Sequence, residues 1–233
     1  MAEPEGATAA PSGTDGVTGT TTGTRPGTAP VRRTARGLQT RSRILDSAAN
    51  LFYVRGVNAT TLDDVRTASG TSKSQLYNHF ADKNALVHAV IDSWSTFVLH
   101  REEQRLRGVR TLSGLRRWRD AIVADNAMRH SCYGCALGAM SIELSDNDER
   151  SRTALAASFA AWEALLVEVL ARLRDIGVLN GSADPADLGI GLLAAVQGGY
   201  LLAQNAHDSR PMAVSLDMAL AHIESFASRP SGT

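Results

Sequence analysis

Cysteines, aromatic residues, net charge and long apolar runs are all scarce in this chain, and each scarcity excludes something. Two cysteines, Cys132 and Cys135, are too few for a disulfide scaffold, and a chain of 233 residues can build a core without one. Aromatics are 5% of the residues and β-branched runs are few, which removes the alternating pattern of sandwiches and barrels. A formal net charge of +0 argues against wholesale coating of nucleic acid but leaves room for a locally basic surface. No apolar run reaches the length of a membrane span, and the N-terminus lacks the apolar centre of a signal peptide. No membrane partner and a reducing cytoplasm are therefore expected.

What is present favours helix. Ala, Leu, Arg and Glu recur, and after Thr40 the apolar residues fall mostly at helical spacing. The fold class expected is all-α. Residues 1–36, rich in Gly, Thr, Pro and Ala, cannot bury enough apolar surface to offset chain entropy and are read as a disordered tail with a basic end. Arginine collects there and just beyond: Arg25, Arg32, Arg33, Arg36, Arg41 and Arg43 occur without an intervening acid. Val31 to Thr40 is expected to be a DNA-tracking arm.

The first helix is expected from about Thr40 to Arg55, with Ile44, Leu45, Ala48, Leu51 and Phe52 as its apolar stripe and Gly56 as its stop. Thr61 with Asp64 three residues later, and Ser72 with Gln75, are two capping pairs. They start two short helices separated by Ser69-Gly70, which is a helix-turn-helix pattern. Asp82 caps a fourth helix whose end and following connection are placed within Arg101 to Gly114. Further helices are expected at about 115–129, 135–143, 148–175, 185–206 and 211–227.

The third helix, in TSKSQLYNHFADKNAL, turns Leu76 and Phe80 inward and leaves Lys73, Ser74, Gln75 and Asn78 outward or lateral. Those four side-chain types can bond base edges in a major groove. Tyr77, His79 and Lys83, with the hydroxyls of Thr61 and Ser72, suit phosphate oxygens. Solvated polar residues on a short helix are the plainer alternative.

The run ILDSAANLFYVRGVNATTLDDVRTASGTSKSQLYNHFADKNAL resembles the DNA-binding region of TetR-like transcriptional regulators, with Leu76, Tyr77, His79, Phe80, Lys83 and Leu86 at the family's positions. Thr71 departs from that pattern, where many relatives carry an apolar residue, and a looser turn is expected there. GCALGAMSIELSD, SFAAWEALL and LLAAVQGGYLLA resemble the C-terminal domain of the subgroup that includes flavonoid-responsive and multidrug-resistance-linked repressors.

The resemblance implies a homodimeric repressor. A helix-turn-helix domain at 37–85 would bind a palindromic double-stranded DNA operator, an effector-binding and dimerisation domain would span 86–228, and 229–233 would be a disordered tail. A small organic effector would bind among the middle helices, in a pocket drawing on Trp118, Ile122, Met128, Leu137, Met140, Phe159, Trp162, Gln197 and Tyr200. Large side chains at helical spacing also simply fill bundles. Leu188, Leu192, Val196, Gly199 and Leu202, followed by Leu216, Leu220 and Ile223, present more apolar face than one helix pair can bury. A four-helix dimer interface would cover it, and packing on the long helix is the alternative.

No catalytic pattern, cofactor or metal site is expected, and the protein is not read as an enzyme. Cys132-Tyr133-Gly134-Cys135 alone suggests otherwise: a dithiol switch in a redox-sensing regulator, a small dithiol oxidoreductase, or, with His130, half of a zinc site. A helix dipole at Cys135 is expected to lower its thiol pKa.

Overall fold

The computed structural model describes residues 34–128, 134–144 and 148–228. Residues 1–33 of the expected tail 1–36, the expected tail 229–233, and His130 and Cys132 lie outside them. Among the described residues the chain forms nine α-helices: α1 Ala35–Arg55, α2 Leu62–Ser69, α3 Lys73–His79, α4 Lys83–Leu106, α5 Leu112–Met128, α6 Ala136–Leu144, α7 Glu149–Asp175, α8 Pro185–Ala206 and α9 Arg210–Ser225. The only β pairing among them is an isolated bridge, Leu179 to Ala227.

Helix α1 starts five residues before the expected Thr40, so residues 35–36 are helical rather than part of a tail. Ala35, Arg36, Leu38 and Gln39 are good helix formers, and the Thr40 hydroxyl donates to the Arg36 carbonyl at 3.0 Å, so Thr40 is accommodated inside the helix instead of starting it. Likewise α4 runs unbroken to Leu106, because Arg101 to Leu106 carries no helix breaker and Glu102 and Leu106 are buried.

Two apolar clusters organise the chain. One joins α5, α7, α8 and α9 around Trp118, Trp162, Leu166, Leu192, Val196 and Leu216. The other joins Ile44, Ala48, Phe52, Val65, Leu76, Leu86 and Val90 of the first four helices, with Phe80 just past α3, to Leu137, Met140 and Leu144 of α6 and Leu155 of α7. Helix α6 is thus built into the core of the N-terminal helices.

Helices α7 and α8 are long and apolar enough in composition to cross a membrane, but both are packed into the bundle core. They approach so closely that a Cβ on Gly189 would lie 2.6 Å from a methyl of Val167.

Candidate nucleic-acid interface and ligand cavity

The α2–α3 unit is fixed by local chemistry. Thr61 Oγ1 accepts from the Asp64 amide at 3.1 Å, and Asp64 Oδ2 accepts from the Thr61 amide at 2.8 Å. Gly70 closes α2 in the left-handed region at φ 61°, where a side chain would be strained. Ser72 Oγ then accepts from the Gln75 amide at 3.2 Å and Gln75 Oε1 from the Ser72 amide at 2.9 Å, a second capping box that starts α3. Thr71 does not loosen the turn: it is buried, and its hydroxyl pairs with that of Ser69 at 2.9 Å, so both polar groups are satisfied. The Arg41 guanidinium lies 5.2 Å from the Phe80 ring centroid and ties α1 to the end of α3.

Leu76 and Phe80 are buried, while Lys73, Ser74, Gln75, Tyr77 and Asn78 are exposed around the rest of α3. Ser72 and Thr61 are also exposed; His79 and Lys83 are half-buried. Lys83 Nζ donates to the Asn58 carbonyl at 3.4 Å. The Gln75 amide oxygen already accepts from the Ser72 amide, which leaves one lone pair and both N–H donors for a partner outside the chain.

A cavity of about 360 Å³ lies between α1 and the larger bundle. Asp46, Ala49, Asn50 and Tyr53 of α1 form one wall; Trp94, Phe97, Val98 and Arg101 of α4 form another. Asp125, Asn126, Gly134, Cys135, Ala136, Trp162 and Tyr200 complete it. Of the nine residues expected to line a pocket, Trp162 and Tyr200 do so. Trp118 and Ile122 are bundle core, Leu137 and Met140 belong to the N-terminal core, Phe159 packs against both clusters, and Met128 is exposed to solvent. Gln197 stands behind the wall at Cys135 and Gly138, its Nε2 buried with no hydrogen-bond partner.

Sequence reasoning missed the α1 wall, although Asp46, Asn50 and Tyr53 share one helical face, as do Trp94, Phe97 and Arg101. Those stripes were the available signal.

The cavity combines apolar walls with a buried ionic network beside Tyr200. Fully buried Glu102 accepts from Arg101 Nε at 3.0 Å, Arg105 Nη1 at 3.1 Å and Trp118 Nε1 at 2.9 Å. Arg105 also pairs with Asp125. These two guanidiniums and two carboxylates compensate one another, so each charge is paired as burial demands. Burial pushes the Tyr200 hydroxyl up to about 12, so it stays neutral throughout the physiological range. Trp162 Nε1 is buried with no hydrogen-bond partner in the protein. The described residues of the site offer apolar contact, a neutral hydroxyl and a spare indole N–H donor.

Comparison with known proteins shows the family and the fold. Residues 44–90 match the family of bacterial regulatory proteins, tetR family, and residues 111–217 match the C-terminal domain of LmrA/YxaF-like transcriptional regulators. An HTH-type transcriptional regulator from the lacX 3′ region of Lactococcus lactis is 30% identical over 183 residues, which is 77% of this chain and 90% of the relative. The chain belongs to the tetR family. It is a helix-turn-helix DNA-binding transcriptional regulator. The regulator LmrA of Bacillus subtilis is 24% identical over 174 residues, 74% of this chain and 90% of LmrA. A TetR-family structure from Cytophaga hutchinsonii shares the fold with a TM-score of 0.73 at 19% identity, covering 85% of this chain and all of that one.

In this tetR-family chain the expected dimer face needs correction. Leu188, Leu192, Val196, Gly199, Leu216, Leu220 and Ile223 are buried within the protomer, and Gly199 lets Met212 of α9 approach so closely that a Cβ would meet its sulfur at 2.7 Å. Their apolar stripes close α8 on α9 and α7. Of the expected set only Leu202 is exposed, together with Ile190 and Leu201 of α8 and Val214 and Met218 of α9.

Cys135 also differs from expectation. Burial raises its thiol above the ordinary range, outweighing the backbone N–H groups of Gly138 and Leu137 that favour the thiolate. The redox readings gain no support from this environment.

Proposed function

We propose that this regulator is a homodimeric repressor that holds a near-palindromic operator with two copies of α3 and releases it when a small organic molecule fills the cavity beneath α1. The observation that carries the reading is the cavity's position. Its walls include four residues of α1, the helix that supports α2 and α3, so an occupant touches the DNA-binding unit directly. Lys73, Ser74 and Asn78, with the amide donors of Gln75, would read bases, and Tyr77, His79, Lys83, Thr61 and Ser72 would hold phosphates. One seven-residue helix reads too few bases for genomic selectivity, and two-fold pairing doubles the code.

The exposed apolar groups Ile190, Leu201, Leu202, Val214 and Met218 lie on α8 and α9, with the small residues Gly191, Ala194 and Gly198 exposed along α8. They support a dimer built on those two helices. The effector acts through differential affinity for DNA-competent and released forms. The regulator would work in the cytoplasm, where the chromosome is.

Trp94 and Trp162 in the cavity wall provide the test. Compounds that quench their fluorescence are to be tested for release of a bound duplex. Release at concentrations matching the quenching supports the reading; saturation of the cavity with DNA still fully bound contradicts it.

A further inference from the structure

The opening turns of α1 lie outside the segment that matches the tetR family. That match begins at residue 44 and α1 begins at Ala35, and the stretch between, ARGLQTRSR, carries Arg36, Arg41 and Arg43 without an acid. Thr40, Ile44 and Ala48 form the buried line of the helix here. At about 3.6 residues per turn, Arg36 and Arg43 stand to one side of that line and Arg41 to the other. Arg36 and Arg43 are exposed. Arg41 is half-buried, and its guanidinium lies 5.2 Å from the ring centroid of Phe80, the residue that ends α3. Helix α1 thus brings cations to the edge of the helix placed to read DNA.

Within the protein these charges are uncompensated. Among the described residues no carboxylate pairs with Arg36, Arg41 or Arg43, and Arg41 Nε is buried with no hydrogen-bond partner. Other helices pair their arginines, Arg66 with Asp63, Arg152 with Glu149 and Arg172 with Glu168. The first turn of α1 holds no acid, and cations at that end of a helix oppose its dipole. The local electrostatics are therefore unfavourable until an anion arrives from outside. Beside α3 the anion at hand is the phosphate backbone of a duplex.

We propose that Arg36, Arg41 and Arg43 form a phosphate-holding ridge on α1, an interaction surface for duplex DNA that reads no bases. The ridge adds to the contacts assigned to Tyr77, His79 and Lys83. Because phosphates carry no sequence, it raises affinity for matched and unmatched duplexes alike. It rests on the DNA-binding role of the chain and is independent of whether a small molecule releases it.

The full-length protein is titrated at several salt concentrations with a duplex it enriches from a random pool and with a scrambled duplex. Arg36→Gln and Arg43→Gln change exposed side chains and should leave the melting temperature unchanged. Each is expected to weaken binding to both duplexes by the same factor, about twofold to fivefold, as for an exposed ion pair. Each should also lower the salt slope by about one ion per half-site. Arg36→Lys and Arg43→Lys keep the charge and should restore the slope. Arg41→Gln should act alike and additionally lower the melting temperature, since it leaves the Phe80 ring.

If the triple glutamine variant keeps the wild-type slope and affinity while Lys83→Ala lowers both, the ridge is overturned and the phosphate contacts near α3 stand. A loss confined to the enriched duplex also overturns it, since that is the mark of base reading. If the wild type binds neither duplex, the ridge falls together with the DNA contacts of α3. Should the triple variant unfold, the double Arg36→Gln, Arg43→Gln variant decides alone, and an unchanged slope in it overturns the ridge.

Discussion

Ser72 and Gln75 cap one another, each accepting a hydrogen bond from the other's backbone amide, at 3.2 and 2.9 Å. A side chain of a type that can bond adenine is therefore also one that starts α3. Stability and recognition are joined in a single residue, and substitution can separate them.

Gln75→Ala is expected to lose the cap, at a cost of about 0.5–2 kcal/mol in stability, and also to weaken DNA binding. Gln75→Glu keeps an acceptor at the third position and should preserve the melting temperature. Its negative charge among phosphates should still weaken binding. Thermal denaturation and a binding titration on the same two variants check this; parallel losses of stability and affinity in both would remove Gln75 from the DNA surface.

Lys73→Ala and Lys83→Ala should differ in kind. Lys73 sits in the first turn of α3 among the groups expected to read bases, so its loss should relax preference at one position per half-site. Lys83 stands beside the Asn58 carbonyl, and its loss should weaken binding to all sequences alike and lower the salt slope by about one ion per half-site. Titrations at several salt concentrations, on matched and scrambled duplexes, distinguish the two.

Leu202→Glu and Met218→Glu change residues that are more than half exposed, so protomer stability should hold while the dimer separates. Leu216→Ala, by contrast, opens a cavity inside the protomer and should cost about 2–5 kcal/mol. Sedimentation and thermal denaturation read the two effects separately.

Acid should loosen the helix-turn-helix through its first cap. The Thr61 hydroxyl and backbone amide hold the Asp64 carboxyl below the ordinary aspartate value of 3.8. Because the folded pKa is depressed, this contribution is complete above the unfolded value and is lost as pH falls through the folded one. The melting temperature of Asp64→Asn should therefore lie below that of wild type at pH 6 and converge with it below pH 3.8, which a pair of melting curves at each pH would show.

The α2–α3 unit was legible because its determinants are local: two capping boxes, a glycine at the turn and two inward apolar residues within twenty positions. The dimer face was not, since an apolar stripe at Leu188, Leu192 and Val196 says that these side chains are buried and does not say by which chain. The cavity was missed for a related reason. Tyr53 and Asn50 lie in a segment that looked committed to DNA binding, and only the packing of α6 into the N-terminal core brings them to Gly134 and Cys135. Thr71, an apparent misfit, makes sense once Ser69 is seen to face it.

The account rests on two copies of α3 reading one symmetric site, and sequencing the duplexes that the full-length protein retains from a random pool tests that most directly. The expected result is an inverted repeat whose half-sites are about one helical turn apart, near 34 Å centre to centre. Enrichment of a single asymmetric half-site, or of no sequence at all, would contradict it.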